Sequence, residues 1–132
     1  MKLFITAHFK GDENKSDIEK LCRTARAAGF EDFCFIRDVE KYQRGVFSDS
    51  HTLMDRARKE LLHCDALLID VSDNPGGGRV IEAGIAFGNN KPVIVIAKRG
   101  TMISVPISGI ASTIIEYDEI EGILEPLRKL VR

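Results

Sequence analysis

Two runs in the chain are apolar without alternation, Ala66-Leu67-Leu68-Ile69 and Pro92-Val93-Ile94-Val95-Ile96-Ala97. Such runs predict parallel strands at the centre of a sheet, covered on both faces. A third short apolar run, Lys2 to Thr6, precedes Ser16-Asp17-Ile18-Glu19, whose spacing predicts a capping-box helix start, with Gly29 as the stop. Phe33 to Ile36 reads as a second strand, and Arg37 to Asp49 as a long polar connection. Ser50 to His63 reads as a helix with an apolar face at Leu53, Met54, Ala57 and Leu61. A short helix is expected from Val80 to Gly88, a strand from Thr113 to Glu116, and a final helix carrying Ile120, Ile123, Leu124, Leu127 and Val131. Five alternations of β and α predict an α/β fold, a doubly wound five-stranded parallel sheet in the flavodoxin/Rossmann-like order 2-1-3-4-5.

Composition narrows the class. A chain of 132 residues suits a single domain, here residues 1–132. The formal net charge of −1 argues against a partner such as long nucleic acid, whose phosphates demand an excess of Lys and Arg. No apolar run reaches the roughly 20 residues that span a bilayer, and the Met1 to Ile5 start is too short for a signal sequence, so no membrane contact and a cytoplasmic location are expected. Cys22, Cys34 and Cys64 are odd in number and widely spaced, which gives neither a disulfide framework nor a C-x-x-C motif. Cys22 and Cys64 fall on apolar stripes and read as core residues. No metal and no cofactor is expected.

In an open parallel sheet, ligands sit beyond the carboxyl ends of the strands, near the switch in strand order. That rule gathers the loops at 6–11, 37–45, 70–78 and 98–104. In the third of these, Asp73-Asn74-Pro75-Gly76-Gly77-Gly78 lets the backbone approach a ligand closely, and its N–H groups favour an anionic or hydroxyl-rich group. It is neither a Walker loop nor a dinucleotide fingerprint. Glu82 follows one helical turn later. Taken alone, a carboxylate there is explained by the helix macrodipole. Its neighbours Ile81, Ala83, Gly84, Ile85 and Ala86, however, leave no solvated surface for the charge, so it is expected to point into a cleft.

The stretch from Cys64 to Val71, Pro75 to Gly78, and Glu82-Ala83-Gly84-Ile85-Ala86 through Ile94 resembles the nucleoside 2-deoxyribosyltransferases and the related 2'-deoxynucleoside 5'-phosphate N-hydrolases. The resemblance implies that Glu82 is a nucleophile that cleaves an N-glycosidic bond through a covalent ester, resolved by a second base or by water. The implied substrate is a small-molecule nucleoside or nucleotide. It further implies substrate-binding roles for the first-loop residues His8, Lys10 and Gly11, for Asp38 and Asp70, and for Gly76 and Gly78. The phosphate-hydrolase branch has Tyr at Phe4 and Ser at His8. At Gly76 that branch has a phosphate-binding Ser and the transferases an Asp. The family's sugar-holding Asp falls at Ala57, leaving Asp55 to substitute. Ser104 matches a serine supplied by a neighbouring subunit.

Two other readings stand beside this one. Pro75 to Glu82 also resembles, one residue short, the Pro-Gly-Gly-x-Gly-Thr-x-x-Glu motif of the lysine-decarboxylase-like phosphoribohydrolases, but Arg79 and Val80 interrupt its Gly-Thr pair. A nucleotide-binding module without catalysis would keep the same fold. The segment Thr101 to Ile107 is too apolar for a free loop, which predicts a homodimer or larger homo-oligomer with Ser104 acting across the interface.

Overall fold

The computed structural model describes residues 1–43, 45–73 and 77–131. The strands β1 (Lys2–Thr6), β2 (Glu31–Cys34), β3 (Ala66–Asp70), β4 (Val93–Lys98) and β5 (Thr113–Tyr117) form one parallel sheet in the order β2-β1-β3-β4-β5. The helices are α1 (Lys15–Ala27), α2 (Phe35–Asp38), α3 (Ser50–Leu62), α4 (Gly78–Gly88), α5 (Val105–Ile110) and α6 (Leu124–Arg128). Successive strand residues point to opposite faces of a sheet. Leu3, Ile5, Leu68, Ile94 and Ile96 accordingly pack under α1 and α6, while Phe4, Leu67, Ile69, Val93 and Val95 pack under α3 and α4. The runs without alternation in β3 and β4 thus serve two cores at once. Cys22, Cys34 and Cys64 are free and buried.

Several element boundaries depart from the sequence pattern, and α5 forms where a loop is expected; three of the departures have a visible local cause. β2 ends at Cys34, and Phe35 opens α2 instead of continuing the strand. The Asp38 carboxylate accepts the Cys34 N–H at 2.9 Å, and Arg37 spans Asp32 and Asp38, so short-range polar pairing turns the chain where side-chain pattern alone favours extension. α1 begins at Lys15, and Ser16 lies inside it. The preceding Asn14 side chain instead ties down the first loop, accepting from Lys10 N–H and donating to the His8 carbonyl. The last helical stretch is divided into a 3-10 turn, Ile120–Ile123, and α6. Pro126 supplies the reason, since it has no N–H to donate back to residue 122.

The switch in strand order lies between β1 and β3, and the chain leaves both strands toward the same end of the sheet. From there Gly77, at φ 55, turns it into α4. This left-handed backbone suits glycine, because a Cβ would crowd the following carbonyl. The turn brings the first face of α4 over the ends of β1 and β3.

Candidate active site

Glu82 is carried inward by α4, and its residue is only 7% exposed. It lines a cleft of about 400 Å³ at the carboxyl end of β1, with Thr6, His8, Phe9, Phe35 and Glu40 among the other lining residues. Among the described residues, Glu82 Oε1 is buried with no hydrogen-bond partner. A buried polar atom left unpaired costs about 1–3 kcal/mol, more when charged, and such atoms are uncommon in native proteins. Burial raises the Glu82 carboxyl to about 7; the Thr6 hydroxyl and Arg79 draw it down, while the charge of Glu40 pushes it further up. A carboxylate that is desolvated, near neutrality and open to a cleft is poised for chemistry.

A smaller depression of about 160 Å³ adjoins this cleft and shares Ala7, His8 and Arg79 with it. Its far wall is a hydrogen-bonded network at the strand ends. Tyr117 donates to Asp70 at 2.6 Å, Ser72 lies 3.0 Å from the Tyr117 hydroxyl, and the N–H of Lys98 donates to Ser72 at 2.8 Å. Asp70 also accepts the Ser72 N–H at 2.9 Å, and its carbonyl accepts from Arg79 at 2.9 Å. The network therefore ties β3, β4 and β5 to the start of α4. At the mouth Lys10 pairs with Asp73 at 3.0 Å, which raises the lysine and holds the aspartate below its usual range.

Of the described residues singled out from sequence, some line the larger cleft, some the smaller depression and some neither. Glu82, His8 and Gly78 line the larger cleft, while His8, Lys10 and Asp70 line the smaller one. Gly11, Asp38, Asp55 and Ser104 line neither. Gly11 opens the 3-10 turn Gly11–Glu13, and Asp38 is committed to Cys34 and Arg37. Asp55 pairs with Arg58 and Lys59 beside a separate groove between α3 and α4, and Ala57 is buried in the core. Ser104 caps α5 of its own chain by accepting from Ile107 N–H. Gly76, with Asn74 and Pro75 of the glycine loop, lies outside the described residues.

Sequence reasoning passed over Thr6, Glu40, Arg79 and Tyr117. Two of them carried a readable signal. Tyr117 ends a strand at the carboxyl edge of the sheet, where ligand contacts concentrate. Arg79 places a cation in the first turn of a helix, against the macrodipole, and three residues before Glu82 on the same helical face. Thr6 and Glu40 carried only the weaker signal of lying in the loops at 6–11 and 37–45.

The sequence matches no protein-family model and no curated protein. Solved structures share the architecture throughout. A conserved protein of Enterococcus faecalis superposes with a TM-score of 0.83 at 12% identity, covering 99% of both chains. The CMP N-glycosidase BcmB of Clostridium botulinum gives 0.74 at 17% identity, over 99% of this chain and 100% of that one. A 2-deoxyribosyltransferase of Bacillus psychrosaccharolyticus gives 0.75 at 17% identity, over 94% and 90% of the two chains. The fold implied by the Cys64 to Ile94 resemblance, that of nucleoside 2-deoxyribosyltransferases and their relatives, is the fold this chain has.

Proposed function

We propose that the protein cleaves the N-glycosidic bond of a nucleoside, deoxynucleoside or corresponding 5'-monophosphate, with Glu82 as the nucleophile. The observation that carries this reading is the Glu82 carboxylate itself, buried, unpaired at Oε1 and facing a cleft of about 400 Å³. Departure of a base leaves positive charge on the sugar, and an anion held in a water-poor site stabilises that charge far better than one in water. Attack of a Glu82 oxygen at C1' as the C1'–N bond breaks gives a glycosyl ester. Water or a second base then resolves it, regenerating the carboxylate. Phe9, Phe35 and Ile36 give the same cleft flat apolar walls suited to a nucleobase.

The overlay with an N-glycosidase and a deoxyribosyltransferase supports the reading, since both reactions break the bond in question. Lys10 and Arg79 supply positive charge, and His8 a ring N–H, on the side of the smaller depression, where a 5'-phosphate is expected. The reading extends to a homo-oligomer in which Ser104 and its exposed neighbours Met102 and Val105 meet a second copy. The deciding experiment is incubation of the protein with nucleosides, deoxynucleosides and their 5'-monophosphates, with and without an acceptor base, followed by chromatography for free base and new nucleoside. Turnover by the native protein and none by Glu82→Gln is expected. Full activity in that variant would remove Glu82 from the reaction.

A further inference from the structure

The larger cleft holds a second carboxylate. Glu40 follows α2, is partly buried, and lines the cleft together with Glu82, Phe9 and Phe35. Among the described residues no hydrogen bond or ion pair engages its side chain, unlike Asp32, Asp38, Asp55, Asp70 and Asp73, each of which is held by a partner. Its backbone is fixed, with its N–H donating to the Phe35 carbonyl at 3.1 Å and its carbonyl accepting from Gln43 N–H at 3.0 Å. Glu40 thus shares the lining of one cleft with the aromatic residues suited to a base, and its charge is felt at Glu82. Asp55, the acidic residue sought on α3, turns to the other groove.

We propose that Glu40 is the acid–base partner of Glu82, protonating the departing base and then deprotonating the water that resolves the ester. The inference rests on the reading of Glu82 as nucleophile. Two carboxylates in one desolvated cleft do not both ionise readily, so the pair retains one proton over a range of pH. Burial raises the Glu40 carboxyl as well. As positive charge grows on the sugar it draws the negative charge onto Glu82, which leaves the proton with Glu40.

The first step forms the C1'–O bond to Glu82 and breaks the C1'–N bond. The electron pair of the broken bond stays on the base, which takes the Glu40 proton. In the second step water gives a proton to the Glu40 carboxylate while its oxygen attacks C1'. The ester C1'–O bond breaks, and Glu82 returns as carboxylate and Glu40 as acid. This is the chemistry of a retaining glycosidase, with a nucleobase as leaving group.

The test uses the native protein, Glu40→Gln and Glu82→Gln on the fastest substrate of the nucleoside and nucleotide panel. Each is also assayed on a counterpart whose base leaves without a proton donor, carrying 7-methylguanine in place of a purine or 5-fluorouracil in place of a pyrimidine. For Glu40→Gln, kcat/KM should fall about 100-fold or more on the ordinary substrate and recover most of the loss on the activated one. The alkaline limb of its pH profile should also vanish. The other titratable groups lining this cleft are His8, Arg79 and Glu82, while Arg37 and Asp38 near Glu40 in the chain pair with each other. All of these remain in the variant, so the lost limb reports Glu40. Melting curves of the two variants control for folding, and Glu40→Asp should keep a weakened alkaline limb.

Equal losses on both substrates would mean a structural role and would overturn the assignment, as would native rates in Glu40→Gln. If native protein turns over and Glu82→Gln does not, while Glu40→Gln is unaffected, only Glu40 loses its role. If the native protein cleaves nothing in the panel, the Glu82 reading falls and Glu40 falls with it.

Discussion

Replacing Glu82 by Gln should stabilise the protein, and the gain should depend on pH in a way that reports the buried carboxyl. The group ionises near 7 in the folded protein, against an ordinary value of 4.5, chiefly because burial penalises its charge. Between these values the folded state holds a proton that the unfolded state has released. Stability at Glu82 is therefore greatest below pH 4.5, declines as pH rises through this window, and stays low above 7. At 1.36 kcal/mol per pH unit the loss amounts to about 3 kcal/mol at full ionisation. Gln keeps the shape of the side chain without the charge. It should match the native residue near pH 4 and exceed it by up to about 3 kcal/mol near pH 9, or about 10 °C in Tm for a domain of this size. Parallel thermal melts of both proteins across that range isolate the effect, because every other group titrates in both. A Tm difference that stays constant with pH would refute the reasoning. Its presence together with lost turnover would identify stability given up for activity.

Arg79→Met removes a cation that favours ionised Glu82, so the acid limb of the kcat/KM profile should move above 7 in that variant; an unmoved limb would contradict the pairing. Tyr117→Phe deletes the hydroxyl shared by Asp70 and Ser72 and should cost about 1–2 kcal/mol, read from urea denaturation midpoints. Gly77→Ala meets no atom within 4 Å, so its cost of about 1 kcal/mol should come from the backbone angle alone and appear as a Tm drop without loss of the fold. Met102 is 94% exposed; Met102→Asp should shift the mass seen by light scattering from oligomer toward monomer, and a native protein that is already monomeric would exclude the assembly.

The fold and the nucleophile candidate were legible because both depend on local and periodic information. Unbroken apolar runs marked β3 and β4, and the alternation of elements pointed to the doubly wound order; Glu82 does turn inward, but its neighbour Ile81 is 52% exposed, so apolar neighbours alone did not force it. Where helices and strands end was less legible. The stop of β2 depends on the Asp38 carboxylate reaching the Cys34 N–H, and the break before α6 on Pro126. Neither changes the apolar pattern.

What only the tertiary structure decided is which polar residues share space with Glu82. Ser104 lies at a position the resemblance singles out and Asp55 two residues before one, yet a helix cap holds the first and ion pairs hold the second at another groove. Glu40, Thr6 and Glu82, distant in sequence, converge on the cleft because β2, β1 and β3 are neighbours and the chain leaves all three at the same end of the sheet. Periodicity tells a chain which face of each element is buried. The angle and depth at which elements pack determine which carboxylates meet, and that is a property of the whole fold.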